Sequence, residues 1–373
     1  MALSIGVNDL ARNAKNLLAG GSDGFAHEVV AAYIGVNDIA RRFWPLDFTG
    51  DGRFLAVAGA GYPYLLIYER AGESFTKLPN PSTLPASLCR AVAFTADSLY
   101  LAAVNNASPY MRWYKREGST FNVLPNPSTL PAGGGEGCAW SPDGIYLAVA
   151  HDYSPYITIY KRNGDTLTKL PDPTPSLPSS TAHGCAFSPD GMHLAVVFAA
   201  SPFVAIYKRN GDTFTRLANP DVLPRENSYG VAYSPDSLHM AVVNNLEAPY
   251  LKIYKRNGDT YTKLPDPDVM PPVICLGAAF SPDGEHLAIA HNGTPYITIY
   301  QRYGDAYAKL PNPDELPGQF ARACAYSSNS NFLAVVHNYD PFITLFRRDG
   351  QLYTKINYPD VLPTGACWGV DFS

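Results

Sequence analysis

Residues 138–173 read CAWSPDGIYLAVAHDYSPYITIYKRNGDTLTKLPDP and contain four short runs of apolar residues separated by turn signals. A Ser-Pro-Asp-Gly sequence at 141–144 follows the first run, and an Asn-Gly-Asp sequence at 163–165 separates the third run from the fourth. Proline fixes φ and glycine accepts a positive φ, so both sequences favour tight turns. Aromatic and β-branched residues, which favour strands, dominate the third run. The stretch therefore predicts a four-stranded antiparallel unit.

The same unit recurs along the chain. A Leu-Ala-Val type triplet begins at Leu55, Leu101, Leu147, Leu194, Met240, Leu287 and Leu333, with spacings of 46 or 47 residues. Seven copies of four short strands, with no helical periodicity between them, are typical of a β-propeller. We therefore predict an all-β fold: a seven-bladed β-propeller of four-stranded antiparallel blades over residues 44–373, preceded by a separate segment, residues 1–43.

The sequence offers two candidates for the inner strand of the first blade. Residues 365–373 begin an eighth first strand, and within them 368–373 read WGVDFS. Residues 44–49 read WPLDFT, and these two copies alone carry Asp before the aromatic residue, where the others have Ala. A C-terminal strand that pairs with the N-terminal blade would close the ring and remove an exposed strand edge. The sequence leaves both assignments open.

Composition excludes several classes of protein. The 373 residues carry a formal net charge of −5 without a block of Lys and Arg, which argues against nucleic-acid binding. No apolar run is long enough to span a membrane, and the N-terminus has no secretory signal pattern. The six cysteines fall at two repeat-equivalent positions without a Cys-x-x-Cys motif. We therefore expect free thiols and folding in a reducing cytoplasm.

Two features resemble phage structural proteins. The repeated unit, from the Ser-Pro-Asp-Gly turn through Lys-Arg-Asn-Gly-Asp-Thr, is similar to WD-repeat-like propellers encoded by bacteriophage structural genes, over about 320 residues. The segment IGVNDLAR at 5–12 recurs as IGVNDIAR at 34–41 and resembles a repeated motif of phage tail-fibre and minor structural proteins. The resemblance implies that residues 1–43 dock the propeller or make it oligomeric. The alternative is a structural cap that covers one face of the first blade. The residues expected to dock are Ile5, Val7, Leu10, Arg12, Ile34, Val36, Ile39 and Arg41.

The resemblance implies a phage virion accessory protein on the tail or capsid, folded in the host cytoplasm. Its expected partners are other virion proteins, a host cell-surface glycan or protein, and copies of itself on the particle. One alternative is a purely architectural capsid decoration or collar protein. A second alternative is a propeller hydrolase or lactonase, which would hold a divalent ion in its central channel. No catalytic motif is present, so we expect no enzyme activity, no cofactor and no metal site.

Comparison of the seven copies locates a candidate ligand-binding face. The residues that lead into each first strand differ in every copy, whereas the rest of the unit changes little. These loops share one face with the loops between the second and third strands, where side chains released from packing can specialise for a ligand. The candidate binding residues are Arg90, Glu136, His183, Arg225, Tyr229, Phe320 and Arg322. The alternative explanation of this variation is neutral drift of solvent-exposed loops.

Three histidines occupy one repeat-equivalent position at the end of the second strand. His151, His291 and His337 belong to the third, sixth and seventh copies and cannot converge on one metal ion. We interpret them as a polar rim on the ring.

Overall fold

The computed structural model describes residues 52–175, 177–246 and 248–373. Its 28 strands form seven four-stranded antiparallel sheets, and each innermost strand contacts the innermost strands of the two adjacent sheets. This closed ring confirms the prediction of an all-β, seven-bladed propeller. The expected docking residues between positions 5 and 41, and the boundary at 43/44, lie outside the described residues.

Strands are numbered in chain order, and each blade takes one strand from each of four sets. The innermost strands are β4 (Cys89–Phe94), β8 (Gly135–Trp140), β12 (Ala182–Phe187), β16 (Ser228–Tyr233), β20 (Cys275–Phe280), β24 (Ala321–Tyr326) and β28 (Cys367–Phe372). The second strands are β1 (Phe54–Gly59), β5 (Tyr100–Asn105), β9 (Tyr146–His151), β13 (His193–Phe198), β17 (His239–Asn244), β21 (His286–His291) and β25 (Phe332–His337). The third strands are β2 (Leu65–Ala71), β6 (Met111–Glu117), β10 (Ile157–Asn163), β14 (Val204–Asn210), β18 (Leu251–Asn257), β22 (Ile297–Tyr303) and β26 (Ile343–Asp349). The outermost strands are β3 (Ser74–Lys77), β7 (Thr120–Val123), β11 (Thr166–Lys169), β15 (Thr213–Arg216), β19 (Thr260–Lys263), β23 (Ala306–Lys309) and β27 (Leu352–Lys355).

The last strand of the chain completes the first blade. β28 pairs antiparallel with β1, so blade 1 has the strand order β28-β1-β2-β3. Ser373 strengthens this closure, because its backbone NH donates to the Phe54 carbonyl at 3.0 Å and its Oγ accepts from the Phe54 NH at 3.0 Å. The other candidate, residues 44–49, lies outside the described part of the chain.

The apolar core lies between the blades. Each second strand is buried at all six positions, because both of its faces are covered by neighbouring blades. An aromatic side chain of the third strand packs into each interface; Tyr160, for example, is fully buried and its hydroxyl donates to the Thr129 carbonyl at 3.0 Å. The buried apolar clusters therefore join each blade to its neighbours.

The cysteines are free thiols, as predicted, and four of the six are buried. Cys185 and Cys324 contact backbone carbonyls of the preceding blade, Ala148 and Ala288. Among the residues that the structure describes, no helix is long and apolar enough to cross a membrane.

The interpretation of the three equivalent histidines as a polar rim is wrong. His151, His291 and His337 are fully buried, and the Nε2 atom of each lies 2.9–3.0 Å from the hydroxyl of a threonine on the third strand of its own blade. Nδ1 of His337 lies 2.7 Å from the Tyr339 carbonyl, to which it donates. Each histidine therefore links the second strand to the third strand of its own blade, and His337 also bonds to the loop between them.

Candidate functional site

A β-bulge in every innermost strand supplies one side chain to a ring around the central channel. In β4 the register with β5 shifts between Cys89 and Ala91, which leaves Arg90 as the extra residue. The same shift occurs in the other six blades. A bulge turns its extra residue out of the regular alternation of the strand. The bulge residues, in order around the ring, are Trp368, Arg90, Glu136, His183, Tyr229, Leu276 and Arg322.

Small residues follow each bulge and bring the inner strands close together. A Cβ atom added to Gly184 would lie 2.9 Å from the Tyr229 carbonyl oxygen, and one added to Gly277 would lie 2.8 Å from the Ala323 Cα. Ala91 and Ala323 occupy the same position in their blades. The absence of larger side chains lets adjacent backbones meet directly below the ring of bulge residues.

The seven bulge residues, the small residues and the next residue of each strand line one cavity of about 240 Å³. This volume is below the roughly 300–1,000 Å³ of clefts that hold drug-sized ligands, so the cavity suits a molecule of the size of one sugar. Positive charge is concentrated on one side of the channel mouth, because three adjacent blades contribute Arg322, Trp368 and Arg90.

Two arginines stack on one indole at the cationic side of the cavity. The guanidinium carbon of Arg90 lies 3.8 Å from the centroid of the Trp368 ring, and that of Arg322 lies 4.5 Å from it. Burial and the charge of Arg90 lower the pKa of Arg322. Within the described ranges Arg322 forms no salt bridge, so its charge is available to an anionic ligand.

Glu136 is the one carboxylate among the bulge residues. Its Oε2 lies 3.7 Å from Nε of Arg90. Burial raises the pKa of Glu136, the Arg90 charge opposes the rise, and the carboxylate of Asp152 adds to it. The Glu136 carboxyl group therefore keeps its proton to a higher pH than an exposed glutamate does.

His183 and Tyr229 form a stacked pair at the next two positions of the ring. Their ring centroids are 4.2 Å apart and the planes differ by 6°. Burial, with a smaller effect of Arg90, lowers the pKa of His183 to about 4, so the imidazole is neutral at pH 7. His183 Nε2 and Trp368 Nε1 are buried without a hydrogen-bond partner among the residues the structure describes. The hydrogen-bonding capacity of both atoms is therefore unused by the described residues.

The structure brings together five of the seven residues expected to bind a ligand: Arg90, Glu136, His183, Tyr229 and Arg322. It does not bring Arg225 and Phe320 into the cavity. Arg225 is exposed in the loop before β16. Phe320 has a positive φ of 58° and packs 6.3 Å from the Tyr339 ring, outside the lining.

Sequence comparison alone did not select Trp368 or Leu276, which complete the ring. Leu276 is apolar and gives no chemical signal of a binding role. Trp368 was missed because Trp44 competed for the same place in the repeat. The likeness between residues 44–49 and 368–373 was the available signal.

The cavity does not suit the divalent ion expected for a propeller hydrolase. A calcium site requires six to eight oxygen ligands, and a catalytic zinc site requires three converging protein ligands. The bulge residues supply one carboxylate and one imidazole. No group of three or more His, Cys, Asp or Glu side chains that could hold a metal ion occurs in residues 52–175, 177–246 and 248–373.

Several solved structures match the fold of this chain. A putative 6-phosphogluconolactonase from Bacteroides fragilis matches with a TM-score of 0.67 and 15% identity, over 86% of this chain and 97% of that chain. A periplasmic gluconolactonase from Pseudomonas aeruginosa matches with a TM-score of 0.67 and 16% identity, over 86% and 98%. Hydrazine synthase from Kuenenia stuttgartiensis matches with a TM-score of 0.55 and 17% identity, over 84% and 99%. No protein-family model matches the sequence, and no curated protein matches it.

These structures correct the functional prediction. The expectation of a phage virion accessory protein without enzymatic activity is wrong, because the propeller resembles structures named as lactonases along nearly their whole length. That expectation rested in part on the repeated unit, whose blade-building residues are shared by propellers of unrelated function. It also rested on the repeated motif within residues 5–41, which lies outside the described residues. Likeness at 15–16% identity shows the fold alone. The chemistry of this chain must therefore be argued from its own cavity.

Proposed function

We propose that the protein hydrolyses a small hydroxylated lactone in the central cavity. The observation that carries the proposal is the convergence of Arg90, Arg322, Glu136 and His183, from four different blades, on one cavity of sugar size. The named activities of two structural neighbours support this choice of reaction.

Hydrolysis requires a proton acceptor for water and stabilisation of a negatively charged oxygen. Glu136 takes a proton from a water molecule while the water oxygen attacks the carbonyl carbon of the lactone. The tetrahedral oxyanion forms beside the arginine guanidinium groups, whose charge stabilises it in a partly desolvated site. The ring C–O bond then breaks, and the leaving oxygen takes the proton from Glu136 to give a hydroxy acid.

The remaining bulge residues bind the ligand. The neutral ring of His183 and the indole NH of Trp368 are positioned to bond to hydroxyl or ring oxygens, since neither Nε2 of His183 nor Nε1 of Trp368 has a protein partner in the described chain. Tyr229 holds the imidazole plane by stacking. Leu276 gives the opposite wall an apolar surface.

The test is lactone hydrolysis by the purified full chain, measured above the spontaneous rate with D-glucono-1,5-lactone and its 6-phosphorylated form. Glu136→Gln should lower kcat by roughly 10²–10⁴-fold, the usual contribution of general acid–base catalysis. Glu285→Gln is the matched control, because Glu285 is an exposed carboxylate paired with Arg348 outside the cavity. Equal rates for wild type and Glu136→Gln would refute the assignment.

A further inference from the structure

A second ring of residues lies beside the ring of bulge residues. The residue in each blade that follows the second strand donates its backbone NH to the carbonyl two residues before the bulge residue. Asn106 donates to Leu88 at 3.4 Å, and Asn338 donates to Phe320 at 3.3 Å. The same bond occurs in the other five blades, at 2.8–3.2 Å. The backbone of the second ring is therefore fixed relative to the bulge.

Both arginine blades carry asparagine in this second ring. Nε of Arg90 donates to Oδ1 of Asn106 at 3.3 Å, and Nε of Arg322 donates to Oδ1 of Asn338 at 3.0 Å. Blade 6 has Asn292 in the same place, but its bulge residue is Leu276, which has no group to hold. Asn292 is therefore a matched control, an asparagine at the same position in a blade whose bulge residue is not an arginine.

The arrangement leaves the outer nitrogens of both arginines free. Nε is used by the asparagine, and one face of each guanidinium lies on the Trp368 ring. In the described part of the chain, no group accepts a hydrogen bond from the Nη atoms of Arg90 or Arg322. Guanidinium groups bind oxyanions through paired N–H donors in a fixed plane.

Neutral asparagine is the side chain that this role requires. A carboxylate would also hold Nε, but it would add to the negative charge of Glu136, whose Oε2 already lies 3.7 Å from Nε of Arg90, and would cancel the remaining positive charge of the pair. Arg90 and Arg322 already repel each other, and the pKa of Arg322 is lowered by burial and by Arg90. An amide oxygen orients the group while the pair remains cationic.

We propose that Asn106 and Asn338 are positioning residues that hold Arg90 and Arg322 on Trp368 as a pair that binds one oxyanion group, a carboxylate or phosphate. The inference rests on the cavity of the proposed function, and it extends that function to ligands with an anionic group. Asn106 and Asn338 act through the arginines.

The positioning is tested without a ligand, by NMR of the arginine Nε–H groups in ¹⁵N-labelled full-length protein. Arg90→Lys and Arg322→Lys assign the two signals. The wild type should show both signals shifted by the Trp368 ring and protected from solvent exchange. Asn338→Ala should abolish the shift and protection of the Arg322 signal alone, and Asn106→Ala those of Arg90 alone. The control Asn292→Ala should change neither signal.

Binding of inorganic phosphate and of 6-phosphogluconate, followed by calorimetry, tests the consequence. Asn106→Ala and Asn338→Ala should each weaken binding by roughly 10- to 100-fold, as expected for loss of one hydrogen bond to a charged group. Asn338→Asp should keep the Arg322 signal but weaken anion binding, which a purely structural role would not produce.

Each outcome tests a separate part of the proposal. An unchanged Arg322 signal in Asn338→Ala would overturn the positioning role. A wild type that binds neither anion would overturn the oxyanion assignment. Anion binding without lactone hydrolysis would overturn the proposed function and leave this inference standing.

Discussion

Trp368, on the last strand of the chain, lies under the guanidinium of Arg90 from blade 2, with 3.8 Å between the Arg90 Cζ and the ring centroid. Arg322 of blade 7 contacts the same indole. The C-terminal strand therefore does two things: it closes the ring by pairing with β1, and it supplies the surface on which both cavity arginines rest.

Replacement of Trp368 should weaken ligand binding. Each cation–π contact contributes about 0.5–2 kcal/mol, so the loss of two contacts in Trp368→Ala should raise the Kd for 6-phosphogluconate by roughly 5-fold to at most about 1,000-fold. Trp368→Phe keeps an aromatic face and should lose less affinity. Calorimetric titration of the three proteins measures the difference.

The matched control is Trp113→Phe, since Trp113 is fully buried between blades and does not line the cavity. That variant should lower the melting temperature without changing Kd. If Trp368→Ala bound 6-phosphogluconate as tightly as the wild type, the stacked pair would have no part in binding.

The pH dependence of hydrolysis should follow Glu136. Its pKa lies above the ordinary value because of burial, and the charge of Asp152 adds to the rise. The basic form of Glu136 is present above that pKa, so kcat/KM should increase as pH rises through it. Asp152→Asn removes a negative charge, lowers the pKa of Glu136, and should move the acid limb of the profile to lower pH.

Asp165→Asn serves as the control for this shift, because Asp165 is paired with Lys115 on an outer turn. Its profile should coincide with that of the wild type. An acid limb that stays in place in Asp152→Asn would mean that a group other than Glu136 governs the rate.

The closing strand also carries an unusual carboxyl group. Oδ2 of Asp371 accepts a hydrogen bond from the Phe94 NH of blade 2 at 2.8 Å. The other six innermost strands have alanine at the position of Asp371. Burial raises the pKa of Asp371 to about 7. A folded-state pKa above the unfolded value means that the stabilising contribution is complete below about pH 4 and is lost as pH rises through 7.

Asp371→Asn should therefore remove the part of the pH dependence of stability that comes from this carboxyl group. The melting temperature of the wild type, relative to this variant, should fall by roughly 3–8 °C between pH 5 and pH 8. Calorimetric scans at matched ionic strength provide the values. A constant difference across this range would show that Asp371 has no raised pKa in the folded protein.

The repeat made the fold predictable, whereas the site was only partly predictable. Spacing, turn residues and strand composition act locally, so seven copies of them specify seven blades. Comparison of the seven copies selected Arg90, Glu136 and Arg322, because the residues that lead into each first strand differ in every copy. The bulge that turns these residues into the channel has no local signature, and the pairing of β28 with β1 is a contact between distant parts of the chain. The stacking of the two arginines on Trp368 depends on both features, so it could be identified only from the structure.

Acid should destabilise the propeller through its buried histidines. Burial lowers the pKa of His337 to about 4, against about 6.5 for an exposed histidine, and His151 and His291 behave alike. A depressed pKa means that the unfolded chain binds more protons, so stability is lost as pH falls from 6.5 toward 4.

His337→Asn introduces the residue that blade 2 carries as Asn105 and removes one titrating group. The melting temperature of this variant should depend less steeply on pH between 6.5 and 4.5, although its value at pH 7.5 is lower through loss of the Thr344 and Tyr339 hydrogen bonds. Parallel curves for variant and wild type would show that His337 stays neutral in both states across this interval.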